Sequence, residues 1–226
     1  MSALLKIKDK FSYPYMDHVR SARPTQDVLA TIDRDEFKKL LKYKLKTLDF
    51  HYQKYFNVDY WMRLNVRRAL TLGLHRMKRS SVLDIGSGFG YFPYVARFYN
   101  HEVIGLDLPG DELFKRVSEF LELDIRDVVI QPQSPLPDFK AKFDLVTAFQ
   151  ICFNGHKSDG LWGVDEWRFF LEDLYQNHMN EGGRVYLEFN YEPAHEGWVS
   201  GEIKALFDQE YKARWRGPSR VLLSKG

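Results

Sequence analysis

Residues 81–109 read SVLDIGSGFGYFPYVARFYNHEVIGLDLP. The stretch begins with a short apolar run that ends around Asp84, and three glycines follow at alternate positions up to Gly90. A second apolar run, residues 103–106, ends in Asp107. This order predicts a strand, a glycine turn, a helix and a second strand, which together form one βαβ unit.

The chemistry of this stretch indicates a ligand that contains a nucleoside. Glycines allow backbone N–H groups to approach a ligand closely, and the helix that follows directs its unpaired N–H groups at the same place. Asp107, at the end of the second strand, can accept hydrogen bonds from both hydroxyls of a ribose. Asp84 would repel a pyrophosphate but attract an ammonium group, and Tyr91 stands where a dinucleotide fingerprint has its third glycine. S-adenosylmethionine carries both a ribose and an ammonium group, so it is the predicted ligand.

The pattern D-x-G-x-G-x-G at residues 84–90 resembles the first motif of the class I S-adenosylmethionine-dependent methyltransferases. The resemblance covers residues 81 to about 189 well and the tail loosely. It implies an α/β fold: a Rossmann-like, seven-stranded, mostly parallel sheet with a reversed last strand, plus an N-terminal helical extension. It also implies a set of cofactor-binding residues, which comprises Asp84, Gly86, Ser87, Gly88, Gly90, Asp107, Leu108, Gln131, Gln133, Phe149 and Gln150.

Two of these assignments depart from the family pattern. An acidic residue near the adenine often follows the third strand in the family, whereas this chain has Gln131, Pro132 and Gln133 there. An amide can also hydrogen-bond to adenine, so the sequence leaves open which glutamine does so.

Composition places the chain among globular proteins. Its 226 residues include one cysteine, Cys152, which excludes an internal disulfide framework. The chain has no run of 18 apolar residues and no apolar core of a signal peptide at its N-terminus, so we expect no membrane span and a cytoplasmic location. The oligomeric state stays open.

Charge divides the chain unevenly. Residues 1–80 carry eighteen Lys and Arg against eight Asp and Glu, whereas the remainder carries fifteen against twenty-three. We predict an N-terminal helical cap over residues 1–78 and a cofactor-binding domain over residues 79–226. The aromatic run at residues 51–61 suggests that the cap supplies a tyrosine to the ligand, with Tyr52, Tyr55 and Tyr60 as candidates. The basic extension could instead attract an anionic partner.

Further elements follow from hydrophobic periodicity and turn residues. Residues 1–31 are predicted to be irregular, and Asp33 is predicted to cap a helix through a capping box with Glu36. Later elements are predicted as helices at 59–75, 110–121, 164–179 and 202–207, strands at 128–130, 143–149 and 184–189, a turn at 182–183, and an antiparallel hairpin of strands 211–215 and 220–223.

Methyl transfer is a direct displacement, which needs positioning but no covalent intermediate, and no metal site is predicted. The loop at residues 151–167 is expected to form one wall of the acceptor pocket, where Trp162 and Trp167 offer flat faces to a ring. His156 is the first candidate for a general base, followed by His195 and Glu192.

Three functions remain open on the sequence alone. The favoured one is O-methylation of a small molecule or glycan. The second is methylation of RNA or protein through the basic extension, although no recognised RNA-binding module is present. The third is cofactor binding without catalysis.

Overall fold

The computed structural model describes residues 20–42, 54–110, 112–151, 153 and 160–225. Contacts between Cα atoms divide the chain into two compact units. The first contains residues 1–78, 88–101 and 111–123, and the second contains residues 79–87, 102–110 and 124–226. The predicted domain boundary at residue 78 stays a prediction.

The second unit is built on one seven-stranded sheet in the order β3-β2-β1-β4-β5-β7-β6. Strands β1 to β5 pair in parallel, and β7 runs antiparallel to both β5 and β6. The predicted seven-stranded, mostly parallel sheet with a reversed last strand is therefore confirmed. The strands are β1 (Ser81–Ile85), β2 (Glu102–Asp107), β3 (Asp124–Asp127), β4 (Phe143–Ile151), β5 (Met179–Phe189), β6 (Arg214–Trp215) and β7 (Arg220–Ser224).

Two helices complete the described part of this unit. Helix α6 (Val164–Asp173) continues into a π-helical turn, Leu174–His178, and helix α7 (Gly201–Glu210) follows β5. Their apolar faces join the inward side chains of β4 and β5 in one core, in which Leu171, Val185 and Phe207 are fully buried. Burial of such side chains is the main favourable term in folding.

The first unit is helical in the part of the chain that is described. Residues 20–29 form helix α1, and the remaining helices are α2 (Arg34–Lys42), α3 (Val58–Leu72), α4 (Tyr91–Phe98) and α5 (Glu112–Phe120). Asp33 Oδ1 accepts hydrogen bonds from the N–H groups of Asp35 and Glu36 at the start of α2, which confirms Asp33 as the cap, whereas the Glu36 side chain bonds to Lys39. Phe37 of α2 packs against the rings of Tyr91 and Phe120.

Three predicted elements differ from the structure. Residues 20–29 were expected to be irregular but are helical. The third strand is Asp124–Asp127 instead of residues 128–130, because pairing with β2 determines the register of this polar edge strand. The predicted helix over 164–179 ends six residues early, at Asp173, after which a π-helical turn leads directly into β5.

The predicted turn at residues 182–183 lies inside β5. The pairing partners along β4 jump from Met179 to Arg184, so the residues between them form an irregular stretch of the strand. Gly182 has a φ of 73°, and a Cβ on Gly183 would come within 3.0 Å of the carbonyl oxygens of Asn180 and Phe143. The two glycines therefore permit a bulge in the strand instead of ending it.

Candidate functional site

The sheet order reverses between β1 and its two neighbours, since β2 lies on one side of β1 and β4 on the other. In open α/β sheets ligands bind at the carboxyl ends of the strands at such a point. The glycine turn follows β1 there, and Asp107 ends β2 at the same edge. The edge of the sheet at β1 and β2 is therefore the first candidate site.

The glycine turn has the backbone geometry that the sequence predicts. The φ angles of Gly86, Gly88 and Gly90 are 74°, 53° and 75°, values that residues with a Cβ rarely adopt. The N–H groups of Gly86 and Ser87 donate to the carbonyl oxygen of Leu106, at 2.8 and 2.9 Å. These two hydrogen bonds hold the start of the turn against the end of β2.

Ser87 fits beside β2 because residue 105 is a glycine. A Cβ at Gly105 would lie 2.5 Å from Ser87 Oγ and 2.3 Å from Cδ1 of Ile125. Any larger side chain at position 105 would therefore displace either the turn or β3.

Asp84 is buried, and the structure gives its carboxylate a positioning role. Its Oδ2 lies 2.9 Å from Ser87 Oγ, and its Oδ1 accepts a hydrogen bond of 2.7 Å from Thr147 Oγ1. These contacts connect β1, the glycine turn and β4. The predicted contact of Asp84 with an ammonium group stays a prediction.

Asp107 and Leu108 lie at the end of β2. Asp107 is half-buried, and its Oδ1 accepts a hydrogen bond from Leu108 N–H at 2.8 Å. The side chain of Leu108 is 64% exposed, which leaves an apolar surface next to the carboxylate. A carboxylate beside an open apolar side chain suits a ribose that carries a flat base.

The two candidate glutamines are both exposed. Gln133 has a φ of 52°, whereas the backbone oxygen of Gln131 lies 3.4 Å from Ser134 N. Neither geometry distinguishes them as the adenine ligand.

Phe149 and Gln150 lie at a bulge in β4. The register shifts between Phe149, which pairs with Glu188, and Ile151, which pairs with Phe189. Gln150 is the extra residue and has a φ of 56°. Asn190 Nδ2 donates to its carbonyl oxygen at 2.6 Å. Such strained, bulged residues concentrate next to functional sites.

His156 lies outside the described residues, as do Cys152 and Tyr52. Of the two other tyrosine candidates, Tyr55 is half-buried and packs against the rings of Trp61 and Phe89, whereas Tyr60 is exposed.

A cleft lies where β4 and β5 end, and we call it the aromatic cleft. Its lining residues come from the chain after β4, the start of α6, the end of β5, the chain after β5, and α7. They are Phe153, Leu161, Trp162, Trp167, Phe189, Asn190, Glu192, His195, Trp198, Val199 and Ile203. The hydrogen bond from Asn190 to the Gln150 carbonyl connects this wall to the end of β4.

The aromatic side chains of the cleft are packed against one another. Phe153 stacks on Trp162 with ring centroids 3.8 Å apart, and Trp167 meets both rings edge to face. Trp162 and Trp167 are only 3% and 7% exposed. The expectation that these two tryptophans offer open faces to a ring is therefore wrong, because their faces are used in the core. Trp198, at 37% exposed, is the more open ring.

Trp162 and His195 line the cleft, and each has one buried polar atom without a hydrogen-bond partner among the described residues, Nε1 and Nδ1 respectively. Glu192 is 4% exposed, and its backbone oxygen accepts a hydrogen bond from His195 N–H at 3.0 Å. Of the predicted base candidates, the structure thus brings Glu192 and His195 to one cleft. Sequence reasoning missed Thr147, Phe153, Asn190 and Trp198, since no motif marks them.

The described ranges contain no candidate membrane span and no candidate metal cluster. No helix there has the length and apolarity that crossing a membrane requires. No group of three or more His, Cys, Asp or Glu side chains there has an arrangement suited to a metal ion.

No protein-family model and no curated protein sequence matches the chain. Among solved structures, DesVI of Streptomyces venezuelae is 12% identical, with a TM-score of 0.58 over 79% of this chain and 99% of that one. PH0226 protein of Pyrococcus horikoshii OT3 is 14% identical, with a TM-score of 0.54 over 79% and 100%. A TehB-like SAM-dependent methyltransferase from Corynebacterium glutamicum is 18% identical over 78% and 98%, with a TM-score of 0.48. Together with the sheet order, the likenesses to DesVI and to PH0226 protein confirm the predicted fold: the chain has a Rossmann-like, seven-stranded, mostly parallel sheet with a reversed last strand.

Proposed function

We propose that the chain is an S-adenosylmethionine-dependent methyltransferase that methylates a hydroxyl group of a small molecule or glycan. One observation carries the proposal. A glycine turn follows β1, and the neighbouring strand β2 ends in Asp107, a carboxylate that can bind ribose hydroxyls, at the point where the sheet order reverses. This is the place where such folds bind a nucleoside.

The residues present fit this cofactor. Gly86 is exposed in the turn, so a ligand can come close to the backbone there. Asp107 supplies the carboxylate for the ribose hydroxyls, and Leu108 supplies an exposed apolar surface for the base. We assign Gly86, Ser87, Gly88 and Gly90 to the methionine end of the cofactor and Asp84 to holding the turn in shape. Gln131 or Gln133 would bind the adenine, and Phe149 and Gln150 would complete the site.

The aromatic cleft is the proposed acceptor site, because it lies at the end of β4 and β5, on the same edge of the sheet as the glycine turn. S-adenosylmethionine supplies an electrophilic methyl group on a sulfonium sulfur. The protein's part is to hold an acceptor oxygen in line with that methyl group and to exclude water, and positioning of this kind accounts for much of the rate in direct displacements.

An acceptor hydroxyl loses its proton as its oxygen forms the bond to carbon and the carbon–sulfur bond breaks. A base within hydrogen-bond reach of the hydroxyl accelerates this step. His195 and Glu192 lie in the cleft, and we propose His195 as the base. His156, outside the described residues, stays the alternative that the sequence favours.

Methylation of RNA or protein through the basic N-terminal extension is the alternative function. The cleft supports the small acceptor instead, because it is enclosed mainly by apolar side chains and contains a buried carboxyl group. Retention on immobilised RNA that falls steeply with salt concentration would favour the alternative.

Isothermal titration calorimetry tests the proposal directly. We expect S-adenosylmethionine and S-adenosylhomocysteine to bind with micromolar dissociation constants and NAD to show no binding. Incubation with methyl-labelled S-adenosylmethionine and a mixture of phenols and sugars should then label an acceptor. Micromolar binding of NAD, with no binding of either methionine-derived ligand, would contradict the proposal.

A further inference from the structure

A cavity in the helical first unit lies between α2 and the start of α3. Its volume is about 140 Å³. All of its lining residues belong to that unit, and none of them is assigned to the cofactor or to the acceptor. They are Ile32, Arg34, Phe37, Lys38, Leu41, Phe56, Asn57, Val58 and Asp59. An apolar cavity of about 150 Å³ takes up one benzene molecule, so a single ring fits the present one.

One face of α2 forms a wall of the cavity. The lining residues of this helix are three or four positions apart, which places them on the same face: Arg34, Phe37, Lys38 and Leu41. Phe37 and Leu41 are buried, and so is Val58 at the start of α3. The inner part of the cavity is therefore apolar and shielded from solvent.

The charged lining residues lie at the opening of the cavity, where two cations face one carboxylate. Arg34 forms an ion pair with Asp59, so this carboxylate already has a cation beside it. The Nζ of Lys38 lies 3.8 Å from a carboxylate oxygen of Asp35, and both side chains are mostly exposed. Exposed pairs of this kind contribute little, so the ammonium group of Lys38 is available to another anion.

A donor amide adds to this positive charge. Asn57 caps α3 with its Oδ1, which accepts a hydrogen bond from Tyr60 N–H at 3.1 Å. Its Nδ2 has no partner among the described residues and can donate to a ligand. A protonated amine would be repelled by Lys38 and would gain nothing from the amide donor. A carboxylate would be attracted by the lysine and can accept a hydrogen bond from the amide.

We infer that this cavity binds a small aromatic carboxylate of one ring, with the ring against Phe37 and Leu41 and the carboxylate beside Lys38. Such a ligand uses the apolar interior and the positive opening together, whereas a ring without a charge, or a charge without a ring, uses only one of them. The bound ligand contacts both α2 and the start of α3. The inference is independent of the proposed function, since no residue assigned to the cofactor or the acceptor takes part.

Heteronuclear NMR titrations of the full chain compare four probes. Benzoate has the ring and the negative charge, and benzamide has the same ring without a charge. Protonated benzylamine has the ring with a positive charge, and acetate has the negative charge without a ring. We expect benzoate to bind most tightly, benzamide more weakly, and the other two not at all. The largest chemical-shift changes caused by benzoate should fall on residues 32–41 and 56–59.

Two variants test the assigned groups. Lys38→Met removes the charge but keeps an unbranched side chain, so the preference for benzoate over benzamide should fall about fivefold, the upper limit for an exposed ion pair. Lys39→Met is the matched control, because this lysine of the same helix bonds to Glu36 at 2.5 Å and does not line the cavity. Val58→Phe fills the interior and should abolish binding of both probes, with circular dichroism to verify the fold.

Absence of benzoate binding up to about 10 mM would overturn the inference, because even a weak ligand of this size is detected at that concentration. Benzylamine or acetate that binds as tightly as benzoate would overturn it too, and so would an unchanged preference in Lys38→Met. That substitution alters an exposed side chain, so it remains decisive even if Val58→Phe does not fold. If the chain binds benzoate as expected but not S-adenosylmethionine, this inference stands and the methyltransferase function falls.

Discussion

The hydroxyl group of Thr147 donates a hydrogen bond of 2.7 Å to Oδ1 of Asp84, and both side chains are buried. Thr147 is on β4 and Asp84 is on β1, and the two residues are direct partners in the parallel pairing of these strands. The carboxylate that precedes the glycine turn is therefore held from the neighbouring strand. The hydrogen bond between Thr147 and Asp84 therefore helps to fix the position of the glycine turn.

Replacing Thr147 by valine should weaken cofactor binding. The two side chains have nearly the same shape, but valine leaves a buried carboxylate oxygen without this donor. We expect the free energy of unfolding to fall by about 1–3 kcal/mol and the affinity for S-adenosylhomocysteine to fall about tenfold. Urea denaturation and calorimetry measure the two effects. Thr147→Ser, which keeps the hydroxyl, should restore most of both, and wild-type values in the valine variant would show that the pair does not hold the turn.

Asp107→Ala should weaken cofactor binding at least tenfold while the fold stays intact. Each hydrogen bond between a ribose hydroxyl and this carboxylate contributes about 1.5–3 kcal/mol. Calorimetry with S-adenosylhomocysteine measures the loss, and circular dichroism verifies the fold. Asp124→Ala is the control, because that carboxylate begins β3 and pairs with Arg126 on the surface. Equal affinity in a folded Asp107→Ala protein would remove Asp107 from the cofactor site.

His195→Ala should lower turnover about 10²-fold if the imidazole removes the proton of the acceptor, with the KM for S-adenosylmethionine unchanged. Steady-state kinetics with a labelled methyl group measures both parameters. His75→Ala, at an exposed position in the other unit, should behave like the wild type. A fully active His195→Ala protein beside an inactive His156→Ala protein would transfer the role to His156.

Asp144→Asn should destabilise the protein at neutral pH and much less in acid. Burial alone would raise the pKa of Asp144, but hydrogen bonds from Ser81 N–H and Asn180 Nδ2, each 2.8 Å, together with the Ser81 hydroxyl, lower it below the ordinary value of 3.8. The stabilisation is therefore complete above pH 3.8 and is lost as the pH falls below it. We expect a deficit of about 1–3 kcal/mol at pH 7.

Urea denaturation at pH 7 and pH 3 checks this dependence. The deficit of Asp144→Asn relative to the wild type should shrink at pH 3. Asp138→Asn provides a comparison, since Asp138 pairs with Lys140 on the exposed surface and such pairs add little to stability. A deficit that is the same at both pH values would mean that the charge of Asp144 is not what stabilises the strand.

The glycine turn and Asp107 could be predicted from sequence because local backbone chemistry determines them: positions with positive φ need glycine, and an acid at a strand end needs no distant partner. Strand β3 could not be predicted from sequence, because its polar residues form a strand through pairing with β2 and not through their own β propensity. Residues 128–130, just after β3, are apolar, so their sequence resembled a strand more closely than that of β3 does.

The aromatic cleft was only partly predictable. The sequence indicated the loop after β4 and the base candidates Glu192 and His195, because both follow strand ends. It could not show that Phe153 stacks on Trp162 or that Asn190 bonds to the Gln150 carbonyl, since these contacts join segments far apart in the chain. Tertiary packing also buries Trp162, which the sequence suggested as an exposed ring surface, and leaves its Nε1 without a hydrogen-bond partner among the described residues.

The two outermost strands of the sheet are its shortest: four residues in β3, of which three are charged, and two residues in β6. An exposed strand edge is a template on which another chain can add a strand, and the hazard grows with the length and apolarity of the edge. The sheet thus presents little backbone for edge-to-edge association at either side. Aggregation of this protein on heating should therefore follow global unfolding and not precede it.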